Sequence, residues 1–306
     1  VKLAGEQERL ESIPMQRTSN ESDRQGPNYP GVLWALYRNS LIRDMSYRAN
    51  FLIECLSSLS WVLMNWGLYL LIFEFTREIG RGSGWGRYQF FVFLATTIII
   101  NSLVQAFFMP NAEAFSELIR TGNLDFALLK PIDTQFLVSL NRVEWASLAN
   151  FWFGLVLLCY SVGRLAVEPG TQWIWNAHML WLYPLFVLSG VTILYSLMIS
   201  LAATSIWLGR NQTLYDFWFY ITNFSRYPWD IYEGRLGTPL RWFFTFIVPV
   251  LLVVNVPARL LALPFRTDQG PVWFYPACSL IAAVLSLLAS RWIFGRALVS
   301  YRSASS

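Results

Sequence analysis

The residues that could do chemistry are few, and they do not assemble. The sequence holds one histidine, His178. A zinc hydrolase would place two on one helix face in an HExxH run, and none exists. No serine stands in the GxSxG context that exposes a nucleophile on a strand-to-helix turn. Ser83 is flanked by glycines in GRGSGWG, but no base lies near it in sequence. That loop also lacks the GK[ST] ending with which a phosphate loop grips phosphate and magnesium. Cys55, Cys159 and Cys278 sit far apart in apolar segments, without the CxxC spacing of a zinc or redox pair. The chain reads as a non-enzyme, with catalytic residues, cofactor and metal all expected to be absent.

The elements that must position any functional residue are membrane helices. Of 306 residues, 55% are hydrophobic and only 14% charged, against the roughly 25% charge of a soluble domain. Aromatics reach 17%, which suits interfacial belts. The net charge is +4, with the basic residues spread between apolar segments. A nucleic-acid binder would gather them in a stripe, so no nucleic-acid partner is expected.

Cutting the chain at its charges gives the spans. Charge-free stretches lie between Glu54 and Glu74, Arg87 and Glu113, Glu144 and Arg164, Glu168 and Arg210, Arg241 and Arg259, and Asp268 and Arg291. About 20 apolar residues cross the hydrocarbon core. The fourth stretch opens with EPGTQWIWNAH, which is polar enough to be loop. The expectation is an all-α polytopic membrane protein. Its six transmembrane helices fall at about 52–74, 89–109, 139–162, 180–208, 242–260 and 272–293. Barrel strands would alternate polar and apolar residues. FVFLATTIII and LIAAVLSLLAS do not.

The positive-inside rule orients this chain. With both termini inside, thirteen basic residues from Arg38 to Arg302 face the cytoplasm, among them Arg210, Arg226, Arg235 and Arg241. Six face outward: Arg77, Arg81, Arg87, Arg164, Arg259 and Arg266. The loop TREIGRGSGWGR fits least well, because its three Arg fall outside. Residues 1–30 are polar and lack the apolar core of a signal peptide, so they read as a disordered cytoplasmic tail.

In residues 31–50, Leu33, Trp34, Tyr37, Leu41 and Met45 recur at helical spacing. Arg43 and Asp44 would be costly in lipid, so an interfacial amphipathic helix is expected rather than an extension of the first span. After the second span, Pro110 and Asn111 mark a helix start. Phe115, Leu118 and Ile119 share a face opposite Glu113 and Glu117, and Gly122 offers a stop. Such a short helix presses on the membrane surface or on a soluble partner. The aromatic connection from about Gly209 to Leu240 is placed in the cytoplasm, with Leu214, Phe217 and Trp218 as a helix extension. Pro249 and Pro257 bracket Asn255 in the fifth span. That segment is either a kinked helix or one that faces a cavity, with the stretch to Pro271 dipping back toward the membrane. Span interiors are almost free of charge. Asn65, Thr96, Thr97, Asn101, Gln105, Asn150, Thr204 and Asn255 either join helices or line a modestly polar path. A path without an ion site suits a porter driven from outside its own chain.

Three blocks carry a family resemblance. They are ELIRTGNLDFALLKPIDTQF (117–136), YDFWFYITNFSRYPWDIY (215–232) and FIVPVLLVVNVPARLL (246–261). In order and place they resemble the membrane (permease) subunit of bacterial ABC-2 type ABC transporters, in a family long known as a domain of unknown function. The likeness runs from about residue 31 onward and is most specific in the first block.

The resemblance implies an ABC-2 type exporter fold in the bacterial inner membrane, with both termini cytoplasmic. It implies two separate ABC ATPase subunits per complex, which hold the ATP and Mg, and a second permease, identical or a related paralogue. The short helix would couple to the ATPase through Asn111, Glu113, Phe115, Glu117, Leu118, Ile119 and Arg120. The docking surface would continue through Gly122, Leu124, Asp125, Lys130 and Pro131. Cargo would cross at the dimer interface, among membrane lipids, and be lipid-like, amphipathic or peptidic. The alternative is a scaffold or assembly subunit of an ATPase-linked complex without transport of its own.

Overall fold

The computed structural model describes residues 29–80, 82–167, 178–208, 219–232, 234–263 and 272–301. The expected tail up to residue 28, the helix extension at Leu214, Phe217 and Trp218, and residues 264–271 of the expected dip lie outside the described residues. Among the described residues there is no strand.

The chain opens with α1 (Tyr29–Ser46) and α2 (Arg48–Phe75). It continues through α3 (Arg87–Phe107), α4 (Met109–Arg120), α5 (Leu124–Leu128) and α6 (Thr134–Ser139). Then come α7 (Leu148–Val167), α8 (His178–Ala203) and α9 (Ser205–Leu208). It closes with α10 (Gly237–Trp242), α11 (Val250–Ala262) and α12 (Phe274–Ser300). Five helical stretches are long and apolar enough to cross a membrane: Arg48–Phe75, Arg87–Arg120, Trp145–Val167, His178–Leu208 and Phe274–Ser300. Among the described residues a sixth arises if Gly237–Ile247 and Val250–Ala262, bent by 90°, count as one.

The core forms around α3, whose Phe90, Phe91, Phe93, Ile99 and Ile100 are buried. Glycines let neighbours approach. A Cβ on Gly154 of α7 would meet the Ile99 side chain at 2.9 Å. A Cβ on Gly190 of α8 would lie 2.7 Å from the Val253 carbonyl oxygen. That carbonyl lacks its usual helical donor, because the residue four positions on is Pro257. A small residue is what allows α8 to pack directly on it.

Contacts define two ends of the bundle. At the α4 end, the Tyr29 ring meets Phe136 at 5.0 Å and Phe115 meets Phe294 at 5.6 Å. Leu208 closes a short helix that packs against α4 and α12. At the loop end, residues 76–86 join α2 to α3. Here the structure departs from the sequence reading. Trp85 donates its indole N–H to Asp230 at 2.8 Å, and Gly80 lies beside Ile231. The connection placed with the α4 end therefore reaches the opposite end by Arg226, so the chain changes ends between Leu208 and Arg226. Its aromatics are buried by tertiary contact: Trp229 is fully enclosed and Phe224 stacks on Phe244 at 4.1 Å.

The expected fifth span, 242–260, is not one straight helix. A π-helical turn at Phe243–Ile247 ends where Val248 N–H donates to the Phe243 carbonyl at 3.0 Å. Pro249 then supplies no N–H, and the chain turns. α11 has 13 residues, about 20 Å at ~1.5 Å per residue, short of a ~30 Å hydrocarbon core. Both its arms point to the loop end. Phe246 meets Phe274 at the start of α12, and Leu263 lies against Gly84. The bend belongs to Pro249 alone, since α11 runs on through Pro257. Asn255 and Pro257 are buried in the core. The third span also starts later than expected, at Trp145 rather than 139. Asp133 caps a separate α6 by accepting from Phe136 N–H at 2.8 Å, and residues 140–144 are non-helical.

Candidate functional site

At the α4 end the amphipathic pattern is laid out as charge spacing dictates. Phe115 is buried, Leu118 and Ile119 are half-buried against the core, and Glu113, Glu117 and Arg120 are exposed. The three apolar residues therefore seat α4 on the bundle, and a partner cannot touch Phe115. α4 continues the α3 rod to 34 residues in all, about 50 Å, which exceeds a bilayer core by some 20 Å. The helix follows directly on α3, with only Phe108 between them. Gly122, at φ +71°, takes the left-handed conformation that ends it.

Asn111 is a clamp, not a contact surface. Its side-chain amide donates to the Phe107 and Arg142 carbonyls at 2.7 Å, and its oxygen accepts from Arg142 N–H at 2.8 Å. This fixes residues 142–144 against α4. Leu124 is buried, while Phe126 and Leu129 stand 67% and 81% exposed beside exposed Lys130 and Pro131. Asn111, Leu118, Phe126, Lys130 and Asn141 line a shared cavity of about 140 Å³. Two large apolar side chains stand out beside a cation, one on α5 and one at its C-terminal cap, which is the kind of surface a docking partner uses. Phe126 and Leu129 both lie in the GNLDFALLKP segment, Gly122 to Pro131, that the sequence reading assigned to the docking surface.

Asp133 takes a bidentate pair from Arg291 of α12, at 2.8 and 2.6 Å. That hydrogen bonding holds the Asp133 carboxyl below its ordinary range. α1 is anchored at the same end: Ser40 Oγ donates to the Val143 carbonyl at 2.8 Å, and Tyr37 packs on Phe107. The expected interfacial face is split. Leu33 and Tyr37 turn toward protein, whereas Trp34, Leu41 and Met45 are exposed.

Between α2 and α3 lies an open-sided cavity of about 170 Å³. Asn65, Thr97, Asn101, Gln105 and Asn150 line it, with Arg226 and Tyr227 also in its wall. These are five of the eight polar residues noted within spans. The remaining three are satisfied inside the bundle, as when Thr96 Oγ1 meets Tyr183 Oη at 3.1 Å. α2 itself is barely covered by the rest of the chain: only 6% of its most apolar window is buried.

The loop end holds a group the sequence reading did not find. Arg259 pairs with Asp230, both almost wholly buried. The guanidinium lies 4.8 Å over the Trp229 ring and 5.5 Å over Trp85. Asn255 accepts from Trp229 N–H at 2.9 Å and donates to the Leu251 carbonyl at 2.9 Å. Three segments thus meet: the α2–α3 loop, the turn at Trp229–Ile231 and α11. An arginine inside the apolar run VNVPARLL was the available signal, because such a charge needs a buried partner.

The helices define a multi-pass membrane protein. The family model described as ABC-2 family transporter protein matches residues 62–305, and the chain belongs to that family. It is a transmembrane subunit of an ABC transporter, from a family that works with ATPase subunits. No curated protein and no solved structure gives a significant match.

Proposed function

We propose that this chain is the permease half of an ATP-driven exporter in a bacterial inner membrane. The α4 end faces the cytoplasm and docks one ATPase subunit. Two such halves, identical or related, bring their α2–α3 cavities together to form the path, and two ATPase subunits supply ATP, Mg and energy. The chain itself does no catalysis. The observation that carries this reading is the exposed Phe126–Leu129–Lys130 surface just after the 34-residue stretch Arg87–Arg120.

The crossings among the described residues are α2, α3, α7, α8 and α12. The elbow of α10 and α11 dips in from the outer side and goes back. With Arg226, Arg235 and Arg241 at the outer end, the basic residues from Arg38 onward divide ten to nine and orient the chain only weakly. The polar, projecting α4 takes over that role. The uncovered apolar side of α2 suits a second permease, and the amide-lined cavity suits an uncharged or amphipathic cargo.

The test is purification of the tagged full chain in mild detergent with mass spectrometry of its partners. An ATPase at one copy per permease is expected. Leu129→Glu should lose it while the permease still elutes as folded protein. An intact chain with no ATPase, or a Leu129→Glu variant that retains it, would overturn the docking assignment.

A further inference from the structure

A second polar cavity, of about 540 Å³, opens where α1 turns at Tyr47 into α2. Arg43, Asp44, Glu54, Arg142 and Glu144 line it, with Tyr47 and Phe51 at its rim. Its charges do not satisfy one another. Arg43 reaches Asp44 at 3.5 Å. Among the described residues Glu54 takes only the Asn50 amide, and Glu144 only the Ser147 hydroxyl. Among the described residues the Arg142 guanidinium has no carboxylate within ion-pair distance, while its backbone is held to Asn111. One void thus faces charges of both signs: beyond the Arg43–Asp44 pair, Arg142, Glu54 and Glu144 stand without an ion pair among the described residues, which suits a molecule bearing both signs.

We propose that this cavity binds the phosphoethanolamine headgroup of a membrane phospholipid, with phosphate on Arg142 and Arg43 and ammonium on Glu54 and Glu144. Guanidinium groups match phosphate oxygens, and carboxylates accept from a primary ammonium. Three carboxylates against two guanidiniums disfavour a purely anionic headgroup. The lipid origin follows from the surroundings: Leu41, Met45, Leu52 and Ile53 are exposed on the two helices that form the crook. An acyl chain leaving the cavity would lie along them. The inference rests on the reading that the α4 end lies at the membrane surface, but it does not need ATPase docking.

The test uses the full chain, delipidated in detergent and titrated by native mass spectrometry. The probes are phosphatidylethanolamine, phosphatidylglycerol and soluble glycerophosphoethanolamine. One saturable phosphatidylethanolamine is expected, with the other two weaker by about tenfold, the effect of losing one charge-assisted contact or the chain's apolar contacts. Arg142→Gln and Glu144→Gln should each cost a similar factor, whereas Arg142→Lys keeps most of the binding. A lipid-free unfolding midpoint equal to the parent's checks that each variant is folded. Equal binding of phosphatidylglycerol, or of the soluble headgroup, would overturn the proposal. So would phosphatidylethanolamine binding that neither neutral variant weakens. No ATPase enters the measurement, so its failure and failure of the docking surface are separate results.

Discussion

The two ends of the bundle handle charge in opposite ways. At the loop end, Arg259 and Asp230 are sealed at 6% and 9% side-chain exposure between two tryptophans. At the α4 end, Arg291 and Asp133 keep 59% and 30% exposure. A buried pair contributes little net stability, yet breaking it leaves an uncompensated charge and costs about 3–5 kcal/mol. A surface pair contributes roughly 0–1 kcal/mol. The loop end is therefore built to stay closed around one arrangement of three segments. The α4 end spends its polar groups on holding a presentable surface.

The largest expected effect follows from breaking the sealed pair. Asp230→Asn should destabilise the detergent-solubilised protein by about 3–5 kcal/mol, read as a lowered unfolding midpoint. The double variant Asp230→Leu with Arg259→Met should recover most of that loss, because no lone charge remains. A single variant as stable as the parent would mean that the pair is not sealed. Next comes the α8–α11 contact. Gly190→Val must push the Val253 carbonyl away and should cost about 1–3 kcal/mol, whereas the same change at Gly163, whose Cβ would meet nothing, should stay within ~1 kcal/mol.

The smallest effect belongs to Asp133. Its folded-state carboxyl titrates below the usual value, so its contribution is fully present above the unfolded value near ~3.9 and is lost as pH falls through the lower folded one. Near neutral pH that contribution should not vary with pH. Arg291→Gln should cost under ~1 kcal/mol at pH 7 and nothing at the acid end of a midpoint-against-pH series. An equal loss at both ends would contradict the ion-pair account.

The same contrast explains what the sequence could reveal. The α4 end was legible because its signals are local. Glu113 and Glu117 oppose Phe115 and Leu118 within one helix, and Gly122 follows at the stop. What periodicity cannot say is which face is covered. An apolar stripe looks alike whether it meets a partner or its own bundle, so the sequence could not tell that Phe115 is buried while Phe126 and Leu129 are exposed. The loop end was not legible, because its logic is tertiary. Arg226, Asp230 and Arg241 look like water-facing charges until Trp85, from 145 residues earlier than Asp230, is seen to cover one of them. The bend at Pro249 was anticipated as a break. Its consequence, an elbow in place of a span, needed the contacts of Phe246 and Leu263.

The most direct test of the two-ended account is labelling with a membrane-impermeant thiol reagent on intact cells. The background has Cys55, Cys159 and Cys278 replaced by serine. Single cysteines would stand at Leu129, on the α4 end, and at Leu236, which is 82% exposed beside the loop-end cluster. The account predicts labelling of Leu236→Cys from outside, and of Leu129→Cys only after permeabilisation. Labelling of both sites from the same side would contradict it.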